Sequence, residues 1–210
     1  LGPFRVSRSR AGSLIKAGRE ELETGVSADF GIFNDWRLSA SLRMDNGRDF
    51  GPNSRFYGLS SVPSTLRARV STGSPLGEFW SWSTSADKDL LGRRGGARLS
   101  AGLNRRIPVG DLNYWDLGLG TTFGDRTYLQ THYGISQAAA QRTGRDPYTL
   151  GSGWENVRAS LQYTHVLSDS WVLFGGVDLS RMLSDPSRSP LVGRKTTHAI
   201  SAGIAFRGKR

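Results

Sequence analysis

Apolar and polar residues alternate along most of the chain with a period of two. Val26, Ala28, Phe30 and Ile32 fall on one face of an extended segment, with Ser27, Asp29 and Gly31 on the other. This is the pattern of a β-strand with one apolar side. After Asn34-Asp35, Trp36, Leu38, Ala40 and Leu42 alternate with Arg37, Ser39, Ser41 and Arg43, and the short separation predicts a tight hairpin.

The same unit recurs. Leu66, Ala68 and Val70 alternate with Arg67, Arg69 and Ser71, and a turn at Ser74-Pro75-Leu76-Gly77 leads into a strand from Phe79 to Ser85. Ala97, Leu99, Ala101 and Leu103 oppose Arg98, Ser100, Gly102 and Asn104; past Pro108-Val109-Gly110-Asp111, Trp115, Leu117, Leu119, Thr121 and Phe123 oppose Asp116, Gly118, Gly120 and Thr122. Val157, Ala159, Leu161 and Tyr163 then pair through a turn at 167–170 with Trp171, Leu173, Val177 and Leu179, which oppose Asp178 and Ser180. Ile200, Ala202, Ile204 and Phe206 form the last strand, and Phe4 to Arg8 a weaker first one.

Most of these strands run about 7 to 10 residues, longer than the ~5 to 6 of soluble sheets and close to the roughly 9 to 11 that a tilted strand needs to cross a bilayer. Short turns near 34, 76, 109 and 168 alternate with long loops at about 9–24, 44–64, 86–95, 124–154 and 182–196. The expected fold is all-β: an up-and-down antiparallel transmembrane β-barrel of about 10 to 12 strands, forming a single domain over 1–210. In the longest loop, expected to be extracellular, Ser136 to Arg142 predicts one short helix, with Ser136 as N-cap and Gly144 past its end.

Trp36, Trp80, Trp82, Trp115 and Trp171 each follow a short turn within a few residues, which places them at one end of the strands as an interfacial belt. Trp154, Phe123 and Tyr128 are candidates for a belt at the other end.

Composition then changes the picture in one respect. Among 210 residues, 28 Lys+Arg against 18 Asp+Glu give a formal charge of +10, with a pI near 10.6 and a mean hydropathy of −0.41. The positive charge is nearly all Arg and is spread from Arg5 to Arg210 rather than clustered, and no nucleic-acid-binding motif accompanies it, so a nucleic-acid partner is not expected. Arg37, Arg43, Arg67, Arg69, Arg98 and Arg158, with Asp29, Asp116 and Asp178, all fall on the polar faces of their strands. An Arg facing lipid at mid-bilayer costs about 2 to 4 kcal/mol, so the polar face is the expected lumen, where Arg and carboxylates would interleave. Loop and terminal Arg (Arg5, Arg8, Arg10, Arg19, Arg93, Arg94, Arg142, Arg145, Arg188, Arg194) suit solubility or contact with outer-membrane lipid and lipopolysaccharide.

Catalytic candidates are sparse. There is no Cys, which removes disulfides, thiolate metal sites and Cys nucleophiles. Of the three His, His132 could face Ser136 or Asp125, His165 reads as an interfacial side chain, and His198 lies early in the last strand. No metal, cofactor or enzymatic activity is expected. Gly118-Leu119-Gly120 and Gly175-Gly176 read as relief of crowding inside the barrel rather than as phosphate loops. The chain begins at Leu1 without Met or a signal-peptide pattern, which reads as a mature or truncated form.

Tyr133-Gly134-Ile135-Ser136, Ala138 to Ala140, Gly144, Tyr148, Arg181-Met182-Leu183, Ser189-Pro190-Leu191-Val192 and the terminal Ile204-Ala205-Phe206 resemble the MipA/OmpV family of Gram-negative outer-membrane proteins. Leu42 to Asp45, Gly47-Arg48-Asp49, Gly58-Leu59 and Thr65-Leu66-Arg67 fit the same family, so the resemblance covers most of the chain from about residue 26. It implies an outer-membrane β-barrel without catalytic residues. It also implies a scaffold joining a lytic transglycosylase to a penicillin-binding protein, or else a porin-like or antigenic surface protein; the inward Arg point to a small-solute or anion channel as the alternative. Two departures stand out: the first strand or strands of the family are not recognisable before Phe4, and Gly208-Lys209-Arg210 follow the terminal aromatic.

Overall fold

Strict alternation leaves each strand with one apolar and one polar side, and only an extended sheet can hold all of these strands with every side consistently placed. The computed structural model describes residues 36–48, 54 and 56–206 in full and residues 5–7 and 25–31 as backbone. The strands are β1 (Arg5–Ser7), β2 (Gly25–Gly31), β3 (Arg37–Asp45), β4 (Thr65–Pro75), β5 (Trp80–Asp89), β6 (Ala97–Pro108), β7 (Asn113–Gly124), β8 (Gly153–Val166), β9 (Trp171–Met182) and β10 (Thr196–Phe206). They form one antiparallel sheet of 10 strands in sequence order. Leu76 N–H donates to the Trp80 carbonyl, Val109 to Asn113 and Leu167 to Trp171, closing three hairpins. The 34 turn and the 9–24 loop lie outside the described residues.

Register aligns polar positions of neighbouring strands in rows. One row runs Ser41, Arg69, Asp87, Arg98, Gly124 across β3 to β7; the next runs Ser39, Ser71, Ser85, Ser100, Thr122, Asn156 across β3 to β8. Ser39 and Ser71 hydroxyls lie 2.7 Å apart, and Ser100 and Thr122 hydroxyls 3.2 Å apart. On the opposite side, Leu99, Leu117, Leu119, Val157, Leu161, Leu173, Val177, Leu179, Ile200 and Ile204 are exposed. The partition is inverted relative to a soluble sheet. Polar groups line one side, and exposed apolar side chains line the other.

Four features depart from expectation. β5 runs on to Asp89 instead of stopping at Ser85, so Asp87 and Asp89 belong to the polar face and not to a loop. Between Thr122 and Phe123 the β7–β8 register slips, and Glu155 is the extra residue of a bulge; such a bulge re-aims side chains. The long loop carries two helices where one was expected, α1 (Arg126–Tyr133) and α2 (Gln137–Thr143), besides a 3₁₀ turn at Asp185–Arg188. α2 has the predicted caps: Ser136 Oγ accepts from Ala139 N–H, and Gly144 is left-handed at φ 65°. α1 is capped by Asp125, whose carboxylate accepts from Tyr128 N–H.

The small apolar core lies in the loops. Tyr128, Leu129 and Leu150 form one cluster, and Ile135, Ala139 and Ala140 a second, packed by Leu59, Tyr148 and Leu191. Among the described residues no helix is long and apolar enough to cross a membrane.

Candidate functional site: an arginine-lined interior under a helical cap

Arg67 and Asp87 are register neighbours of adjacent rows on β4 and β5. Arg67 is only 1% exposed. Its Nε and Nη2 both donate to Asp87 Oδ1, at 2.9 and 2.6 Å, and its Nη1 donates to the Gly95 carbonyl at 2.8 Å. Asp87 also receives Arg98 Nε at 3.2 Å and Arg69 Nη2 at 3.4 Å. One buried carboxylate therefore anchors three guanidinium groups. Such clustering is tolerated only where every buried charge finds a partner.

Asp89 holds the adjoining 90–96 loop. It accepts from the Thr65 hydroxyl, from Gly95 N–H at 2.8 Å and from Leu91 N–H at 2.9 Å. Gly96 follows at φ +58°, and a Cβ there would lie 2.3 Å from Tyr128 N. The loop can meet α1 this closely only with glycine at that position.

α1 closes over the arginines. Arg98 Nη1 donates to the Tyr128 hydroxyl at 3.2 Å, and the Arg98 guanidinium lies 4.9 Å from the Tyr128 ring centroid, within cation–π range. Tyr128 and Tyr133 hydroxyls both donate to Glu155 Oε1, at 3.0 and 2.6 Å. Burial raises the Tyr128 hydroxyl to about 12. Burial, followed by the neighbouring Tyr128 and Glu155, lifts Tyr133 above the usual tyrosine range. Both remain protonated donors. His132 stacks on Tyr128 at 4.2 Å, and its Nδ1 lies 3.1 Å from the Tyr128 carbonyl oxygen. Burial, with Arg48 nearby, pulls its pKa down to about 3, so its imidazole is neutral.

Together these groups enclose a cavity of about 670 Å³, lined by Arg43, Arg48, Arg67, Arg69, Arg98, Arg158, Asp45, Glu155 and hydroxyls including Ser71, Ser85 and Thr122, with Tyr128, His132 and Tyr133 from α1.

The predicted polar-face charges sort into three groups. Arg67, Arg69 and Arg98 converge on Asp87, whereas Arg43 and Arg158 line the same cavity without joining that cluster. Asp116 is elsewhere, accepting from Arg106 at 2.9 and 3.1 Å near the short-turn end. Arg37 and Asp178 take inner-face register positions opposite Gly73 and Ser160, and Asp29 is opposite Ser39 on β3, with its side chain outside the described residues. The counterion is therefore Asp87, not Asp116 or Asp178. Asp87 escaped the sequence pattern because Lys88 breaks the apolar alternation after Ala86, and Glu155 escaped because the bulge reverses its side.

The motif residues of the long loop build the cap. Ile135 pairs with Tyr148 in an isolated bridge, Ser189 Oγ donates to the Tyr133 carbonyl at 2.6 Å, and the Tyr148 hydroxyl donates to the Asp185 carbonyl at 2.8 Å. Gly134 ends α1 where a Cβ would strike the Gln130 side chain. Pro190 follows Ser189 on the exposed side. Asp125 and Ser136, the postulated partners of His132, are both occupied as helix caps. Among the described residues no three His, Asp or Glu converge on a common point.

The tryptophans of the expected belt make ring contacts along the strands. Trp36 lies edge-on to Trp82 at 5.2 Å and Trp171 to Phe206 at 5.1 Å, Trp115 is tilted against Tyr163 at 4.8 Å, and Arg105 covers Trp80 at 5.2 Å. At the opposite end Phe123 meets Trp154 at 5.5 Å. Tyr128 does not join them, because it is buried against the arginines. Tyr163 and His165 both reach Asn113 Oδ1 near the short-turn end.

An antiparallel sheet with a charged face and an opposite face of exposed apolar side chains defines the class as an all-β protein. A family model described as MltA-interacting protein MipA matches residues 7–208, and the chain belongs to that family. It is also similar to "Putative outer membrane protein YiaT" of Escherichia coli strain K12, 23% identical over 129 residues, which are 60% of this chain and 52% of that protein. The Escherichia coli O157:H7 protein of the same name matches equally. The chain spans about half the length of these curated relatives. It is an outer-membrane protein.

Proposed function

We propose that the sheet closes into a single-domain up-and-down transmembrane β-barrel that acts as a non-enzymatic scaffold for peptidoglycan-remodelling enzymes, a lytic transglycosylase and a penicillin-binding protein. The observation that carries the barrel is the exposed apolar band opposite a hydrogen-bonded polar face, since a closed barrel satisfies every strand edge in lipid. β8, at 14 residues and about 3.3 Å per residue, is long enough for a tilted crossing of a hydrocarbon core of about 30 Å. Support for the scaffold comes from the family description, which names an interaction with MltA. The short turns at the tryptophan-rich end are the surfaces available on the periplasmic side. Enrichment of a lytic transglycosylase from detergent extracts, over an unrelated outer-membrane barrel as bait, tests this; no enrichment overturns the scaffold and leaves the barrel standing.

A second reading, a small-solute or anion channel, is favoured by the arginine-lined cavity. Planar-bilayer recording discriminates, because a folded protein that never conducts excludes it.

A further inference from the structure

We propose that the interior cavity is a binding site for one dianionic phosphate group. The proposal rests on the cavity alone and needs neither the scaffold nor the channel reading.

Charge is the first ground. Leaving Arg43 aside, five arginines line the cavity, and the carboxylates available to them are Asp45 and Glu155 on its wall and Asp87 behind. Among the described residues two positive charges are left in excess, which attracts an anion. Glu155 is further occupied by two tyrosine hydroxyls, and Asp45 by the Gly47 amide at 3.0 Å.

Unused donors are the second ground. Arg69 Nε is buried and has no hydrogen-bond partner, an uncommon state for a buried donor. Arg158 lines the cavity, remains solvent-accessible, and makes no ion pair among the described residues. Arginine presents its donors as a planar fork that matches phosphate oxygens two at a time.

Space is the third ground. The register row that contains Arg158 continues as Gly120, Gly102, Ser83 and Gly73. Gly120, Gly102 and Ser83 of this row line the cavity with Arg158, and the serine and threonine hydroxyls of the next row supply neutral donors. The cavity of about 670 Å³ admits a phosphate together with the small organic group it esterifies.

The purified full chain, folded in detergent micelles, is titrated calorimetrically with inorganic phosphate and with glycerol 3-phosphate, against chloride at matched ionic strength. Saturable phosphate binding is expected, reduced at least tenfold by Arg158→Gln and partly restored by Arg158→Lys. Arg106→Gln, which removes an exposed ion pair outside the cavity, leaves the affinity unchanged. Folding of Arg158→Gln is checked by its unfolding midpoint, which stays at the parent value because Arg158 holds no ion pair among the described residues. Competition by phosphatidic acid doped into the micelles assigns the phosphate to a lipid headgroup; its absence assigns a soluble ester. No binding beyond chloride, or equal loss in Arg106→Gln and Arg158→Gln, overturns the proposal.

Discussion

Asp87 accepts two hydrogen bonds from Arg67 through a single oxygen, with both side chains almost wholly buried. Removing one member of such a pair strands the other, which costs about 3 to 5 kcal/mol. Asp87→Asn is therefore expected to lower stability by that order in urea unfolding from lipid vesicles. Asp116→Asn, which relieves an exposed pair with Arg106, should cost at most about 1 kcal/mol.

Glu155 fastens α1 to the sheet through Tyr128 and Tyr133. Glu155→Ala leaves the buried Tyr128 hydroxyl and the half-buried Tyr133 hydroxyl without an acceptor, the buried one worth about 1 to 3 kcal/mol. Amide hydrogen exchange over 126–133 is expected to accelerate strongly, while β9 and β10 keep their protection. Equal acceleration in β9 and β10 would show that Glu155 supports the whole sheet rather than the cap.

The cap should also be acid-sensitive. The folded pKa of His132, about 3 through burial and Arg48, is below its unfolded value of about 6.5. Its contribution to stability is thus complete above pH ~6.5 and is lost as pH falls toward the folded value. Exchange protection of α1 is expected to decline through that window, and His132→Phe should flatten this dependence.

Leu119, 62% exposed, projects from the middle of β7 on the apolar side. Leu119→Arg is expected to destabilise the protein in vesicles by about 2 to 4 kcal/mol. Gln162→Arg, on the polar face of β8, should change it by less than about 1 kcal/mol. A reversed order would place lipid on the arginine side.

How far the sequence disclosed all this follows from which signals are periodic. The faces of β3, β4, β6, β7, β9 and β10 were legible because an apolar residue at every second position cannot be satisfied by any other register. α2 was legible because its start and stop residues, Ser136 and Gly144, act locally. Asp87 was hidden because Lys88, at that end of β5, breaks the apolar alternation after Ala86. Glu155 was hidden because a bulge is a tertiary event, and alternation counted from Asn156 points Glu155 outward. α1 was missed because Arg126-Thr-Tyr-Leu-Gln-Thr-His-Tyr133 mixes β-branched and aromatic residues, and its stability comes from Glu155 and Arg98, both distant in sequence. Tyr128 was misplaced for the same reason: an aromatic at a strand end reads as interfacial until the groups that bury it are known.

The central claim, that the apolar side of the sheet faces lipid and the arginine side does not, is tested most directly by site-directed spin labelling along β7. The chain has no Cys, so single cysteines can be introduced at positions 117 to 122 without background. In vesicles, labels at 117, 119 and 121 are expected to be relaxed preferentially by oxygen, which partitions into lipid. Labels at 118, 120 and 122 should respond instead to a water-soluble paramagnetic reagent or be shielded from both. Accessibility without this period of two, or with the two sets exchanged, would contradict the account.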